Sequence, residues 1–148
     1  MIPDLIDVGG PWKALPPGVH DASLNDMKNR YATNEHRERL FAGFERAVLN
    51  LIEAGCMAIY LNGSFVTENP HPGDFDCCWD PTGVDVDKLD PILLDFSNRR
   101  RAQKDKYGGE FFPSSFQAVA GEFFLSYFQK DKHTGQAKGI VRVHQEKE

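Results

Sequence analysis

Residues 57–79 read MAIYLNGSFVTENPHPGDFDCCW, two apolar runs separated by a loop rich in glycine, proline and asparagine. The first run, Met57, Ala58, Ile59, Tyr60 and Leu61, has the length and side chains of a buried strand. The second, over 74–79, alternates: Asp74 and Asp76 leave one face of a strand while Phe75, Cys77 and Trp79 leave the other. Asp80-Pro81 ends it in a turn, and Gly63-Ser64 opens the loop directly after the first strand. Two strands joined this way, one with an acidic and an apolar face, predict an α/β (α+β) domain: a small mixed sheet flanked by helices.

Upstream, Leu40, Phe41, Phe44, Ala47, Val48, Leu51 and Ile52 recur at helical spacing, which predicts an amphipathic helix starting at Thr33 or Asn34 and ended by Gly55. Ser23 caps a shorter helix reaching about Tyr31. Residues 1–22 hold Pro3, Pro11, Pro16 and Pro17 with Gly9, Gly10 and Gly18, so they read as an extended arm. Leu5, Ile6, Val8, Trp12, Leu15 and Val19 lay that arm on the single domain expected over 23–148. Downstream, Pro91 introduces a third strand over 92–96, Ser97 caps a basic helix over 98–107, and Gly108-Gly109 end it. A helix over 121–129, a polar turn over 130–138 and a last strand over 139–144 complete the pattern.

The chain has 148 residues, 41% hydrophobic and 26% charged, which suits one domain that buries roughly two-thirds of its unfolded surface. That composition excludes intrinsic disorder throughout. No apolar run approaches the roughly 18 residues a membrane span needs, and Asp4 stands where a secretory leader would carry base. Cytoplasmic residence is the expectation. Cysteine numbers three, with Cys77 and Cys78 adjacent, so no disulfide framework is expected. A net charge of −5, from 22 acidic and 17 basic residues, argues against a surface wholly given to nucleic acid. Five basic residues nevertheless crowd into 97–107: Arg99, Arg100, Arg101, Lys104 and Lys106.

Chemistry concentrates on Asp74 and Asp76. Two carboxylates a few ångströms apart repel unless a cation sits between them, and Mg²⁺, with Mn²⁺ as a substitute, is the hard cation that binds oxygen ligands together with phosphate. An acidic solvent face is the plainer reading of the same pair. Gly63 and Ser64 after a strand allow backbone N–H groups to approach a phosphate.

Read together, Gly63-Ser64, a spacer and Asp74-Phe75-Asp76 on a second strand resemble the signature of the polymerase-beta-type nucleotidyltransferase superfamily, in its minimal form. The segments around Leu15-Pro16-Pro17-Gly18, Gly63-Ser64-Phe65-Val66-Thr67, Leu93-Leu94-Asp95-Phe96 and Tyr107-Gly108-Gly109-Glu110 resemble a family of short uncharacterised bacterial proteins over nearly the full length. The superfamily resemblance implies a nucleotidyltransferase-like fold that moves a nucleoside monophosphate from an NTP, ATP first among them, to a hydroxyl and releases pyrophosphate. It implies Mg²⁺ on Asp74 and Asp76, and phosphates at Gly63 and Ser64. A third carboxylate that helps bind the metal and takes the acceptor proton is also implied, with Asp95 the candidate. The same acid reads equally as a helix cap; Asp85, Asp87 and Asp90 rank below it. Minimal relatives often occur in toxin–antitoxin pairs and modify a protein or a tRNA, which implies such acceptors and a cognate toxin or antitoxin partner.

Arg100 or Arg101 with Lys104 can pair with a triphosphate or an RNA backbone, or form a solvated helix face. His71 lies between the glycine turn and the acids, where exposure is its ordinary fate. Cys78 shares the acids' face, yet Mg²⁺ prefers oxygen, so packing explains it better. Phe111, Phe112, Phe116, Phe123, Phe124, Tyr127 and Phe128 are expected to be mostly core, with a minority free to stack a base or meet a partner. The alternative to an enzyme is an inactive module of the same fold that binds protein or nucleic acid.

Overall fold

The computed structural model describes residues 2–131 and 134–144. Its elements run β1 (Gly18–Ala22), α1 (Leu24–Tyr31), α2 (Glu35–Glu53), β2 (Ile59–Asn62), β3 (Phe75–Trp79), α3 (Ser97–Tyr107), β4 (Gly109–Pro113), β5 (Gln117–Val119), β6 (Glu122–Phe123), α4 (Phe124–Tyr127) and β7 (Gly139–Val143). Five strands form one mixed sheet in the order β1-β7-β2-β3-β4; β5 and β6 make a separate hairpin. The outer pairs β1/β7 and β3/β4 are parallel, and the central pairs β7/β2 and β2/β3 are antiparallel. The α+β class expected from the sequence is what the chain adopts. Among the described residues, no helix is long and apolar enough to cross a membrane.

Strand alternation divides the sheet into two unequal faces. One carries Ile59, Leu61, Phe75, Cys77, Trp79, Phe111, Val141 and Val143, all buried against Phe41, Phe44, Ala47, Val48 and Leu51 of α2 and Met27 of α1. The other carries a smaller apolar patch, Cys78, Phe112 and Ile140, covered by Phe124 and Phe128. Beyond that patch the second face turns polar. Burial pushes the Cys78 thiol up to about 12 and raises Cys77 well above the ordinary thiol range, so both are neutral packing groups.

Two caps stand where the sequence places them, Ser23 accepting from the Asp26 amide and Asn34 from the Arg37 amide, but Ser97 is not a cap: it is the first residue of α3, after Phe96, whose side chain caps nothing. Four further expectations need correction. Residues 18–22 of the supposed arm form an edge strand, possible because Pro16 and Pro17 precede the ladder instead of interrupting it. The run at 92–96 is no strand; Pro91–Leu94 is a 3₁₀ turn, with Asp90 accepting from the Ile92 amide at its start. Residues 117–123 form the β5–β6 hairpin, which leaves only four residues for α4 where a helix over 121–129 was expected. Finally, α3 opens with Asn98, Arg99 and Arg100 at φ 50°, 55° and 60°, a left-handed turn, so the basic stretch expected as one regular helix over 98–107 is right-handed only after residue 100. The polar turn at 130–138 includes residues 132 and 133, which lie outside the described residues.

Close approach fixes how α2 meets α3. A Cβ on Gly43 would fall on the backbone carbonyl of Tyr107, well inside van der Waals contact. Gly43→Ala is expected to cost about 2–3 kcal/mol by forcing the helices apart, read as a lower urea midpoint. Left-handed backbone costs an L-residue about 1–2 kcal/mol, partly offset in glycine by its larger unfolded entropy. Exposed Arg99→Gly should therefore raise stability by about 0.5–1 kcal/mol in the same measurement.

Candidate functional site

The loop between β2 and β3 has no regular structure beyond one 3₁₀ turn, Ser64–Val66, so its shape is imposed from outside. Arg37, at 3% exposure, imposes it. Its guanidinium donates to the carbonyls of Phe65 (2.8 Å), Thr67 (2.9 Å) and Asn69 (2.5 Å), and to Tyr31 (3.0 Å) on the way. Neighbours on the same first turn of α2 extend the grip. Asn34 donates to the Pro70 carbonyl at 2.8 Å, and His36 donates to that of Pro72. The His36 ring stacks on His71 at 3.8 Å, so the loop histidine has a partner that its isolation in sequence hides.

Gly63 shows why this position needs glycine. Its φ is +91°, and a Cβ would lie 3.1 Å from Asp76 Oδ2 and 3.2 Å from the Asp76 amide. The carboxylate therefore rests against the turn. Next to it, the Ser64 carbonyl accepts from the Thr67 hydroxyl at 2.6 Å and closes the turn.

Gly63, Ser64, Asp74 and Asp76 line one cleft of about 470 Å³, with Asn62 and Thr67 in the same wall. The rest of the lining comes from the two chain-terminal regions: Trp12 of the arm, 40% exposed, and Tyr127, Lys130, Asp131 and Lys138, with Lys130 also paired to Glu122 at 2.6 Å. A cleft of this size, lined by carboxylates, lysines and aromatic rings around a glycine turn, suits a phosphorylated small molecule.

Asp95 takes no part in this cleft. It follows the 3₁₀ turn, and its Oδ1 accepts from the Ser97 amide at 3.1 Å and the Ser97 hydroxyl at 2.6 Å. Those bonds hold its carboxyl below the usual aspartate range, which weakens it as a base. The acid that the sheet sets beside Asp76 is Glu110. In the parallel β3/β4 ladder Asp76 pairs with Glu110, and in the β2/β3 ladder Asp76 pairs with Asn62. Asn62, Asp76 and Glu110 thus form one row across three strands, on one face, at a spacing of roughly 4.8 Å per strand. The sequence signal was available: Glu110 is the acid that alternates with Gly109 and Phe111 in a five-residue strand.

Arg100 and Lys104 converge on Glu110, at 3.7 Å and 3.5 Å, instead of lining the cleft. The left-handed turn at 98–100 delivers Arg100 there, and its guanidinium lies 4.1 Å from the ring centre of Phe112. Among the described residues, no three His, Cys, Asp or Glu side chains are gathered to hold a metal ion.

No curated protein and no solved structure matches the chain. The sequence profile of DUF6932, a family of unknown function, matches residues 11–144, which is nearly the whole chain, and the protein therefore belongs to that family.

Proposed function

We propose that this cleft transfers a nucleoside monophosphate from an NTP to a hydroxyl of a protein or RNA acceptor. The observation that carries the reading is the contact between the Gly63 turn and the Asp76 carboxylate, with Asp74 on the same wall. It puts a glycine turn against Asp76, one of the two acids. The donor set fits Mg²⁺, which is commonly bound by one or two carboxylates together with substrate phosphates and does not require an all-protein cage. Asp74 and Asp76 would hold it, and when bound it would neutralise charge on the transferring phosphate.

The remaining chemistry falls to the chain. Gly63 and Ser64 position the pyrophosphate that leaves, through backbone groups the Arg37 staple holds in place. Lys130 and Lys138 in the cleft lining offset phosphate charge. The acceptor oxygen forms a bond to the α-phosphorus as the bond to pyrophosphate breaks, and its proton passes to a carboxylate. We assign that role to Glu110 in place of Asp95: it does not line the cleft itself and is paired with Arg100 and Lys104, but it stands in register with Asp76 on the next strand. ATP is the first donor to try, and the reading extends to a toxin–antitoxin setting, with a cognate partner supplying or masking the acceptor.

One observation favours the non-catalytic alternative: among the described residues, no three acids are gathered closely enough to hold a metal ion. Calorimetric titration of the four NTPs, with and without Mg²⁺, separates the readings. Mg²⁺-dependent binding lost in the Asp74→Ala, Asp76→Ala double variant is expected; no binding to any NTP in the wild type favours the module. For the wild type, transfer of label from an α-phosphate-labelled NTP to extract RNA or protein is expected. Glu110→Gln should slow it about 10²- to 10⁴-fold, whereas Asp95→Asn should change it less than about twofold. The reverse ranking would return the base to Asp95.

A further inference from the structure

We infer that Asn62 supplies the third oxygen donor to the divalent cation of this cleft, an inference that rests on the cation site proposed above. Asn62 ends β2 at 5% exposure and lines the cleft, yet its Oδ1 is buried and has no hydrogen-bond partner. A buried amide oxygen left unpaired costs free energy, and a leucine of similar shape would avoid that cost. The surroundings would accept one: the same face of the sheet continues into Cys78, Phe112 and Ile140. Packing alone therefore does not account for an amide here.

Its place accounts for it. Asn62 is the cross-strand partner of Asp76, and the next residue, Gly63, is the one against which the Asp76 carboxylate rests. Hard divalent cations take amide carbonyl oxygens alongside carboxylates. Asp131 lines the cleft as well, but among the described residues no three acids are gathered to hold a metal, so a neutral oxygen is the donor at hand.

The test uses the full chain and Mn²⁺ as the probe, with bound and free ion separated by electron paramagnetic resonance in the presence of ATP. Asn62→Leu is expected to weaken Mn²⁺ binding about 10- to 100-fold while its urea midpoint stays level or rises, because an orphaned polar atom has been removed. Asn62→Asp, which keeps an oxygen at the same place, should retain binding. If Asn62→Leu binds Mn²⁺ like the wild type, or loses binding only together with stability, the amide is structural and the inference fails. Asp76→Ala is the control for the underlying reading. Loss of binding there with none in Asn62→Leu sinks the inference alone; a wild type that binds no Mn²⁺ sinks both.

Discussion

The glycine turn and the loop that frame one side of the cleft depend on one buried cation. Arg37 places its guanidinium among the carbonyls of Tyr31, Phe65, Thr67 and Asn69. A charge taken out of water is tolerable only when its donors are met, and these carbonyl dipoles meet them. The arrangement serves both partners. The loop gains a fixed shape without ladder hydrogen bonds of its own, and its buried carbonyls find donors that no neighbouring strand provides. Because Arg37 is the third residue of α2, the loop inherits the rigidity of a helix whose opposite end is packed into the core.

That constraint explains which parts of the fold were legible in the sequence. The amphipathic run of α2 and the alternation of β3 are local patterns, and both emerge where residues 40–52 and 74–79 place them. Edge strand β1 is not local. It exists because β7, more than a hundred residues later, offers a parallel partner, and nothing within the proline-rich stretch announces that. The run Ile92, Leu93, Leu94 is short enough to suit a strand or a turn, and periodicity cannot separate them. Asp90 decides the matter by capping Ile92.

The same distinction governs the site. Gly63, Ser64, Asp74 and Asp76 lie within one short segment, so spacing alone brought them together. Glu110 reaches Asp76 only through the β3/β4 register, a long-range pairing that no spacing rule encodes. Asp95 looked apt because it follows aliphatic residues, but a carboxylate beside a serine amide at a helix start is ordinarily a cap. Arg100 and Lys104 were read as phosphate ligands from charge, and the structure gives them Glu110 instead.

The two walls of the cleft are built on different principles, and the difference bears on function. One wall is a row of sheet residues and a stapled turn, held by the core behind it, where geometry can be kept to fractions of an ångström. The other is drawn from the arm and from the segment around Tyr127, Lys130 and Lys138, whose side chains are exposed or half-buried and owe less to the core. Chemistry that requires fixed oxygen positions belongs on the first wall. Choice among ligands, which depends on stacking and charge more than on exact placement, belongs on the second. In a chain of this length the site thus divides labour within one domain, and the acidic wall is the part that could change least without losing whatever reaction or binding the cleft performs.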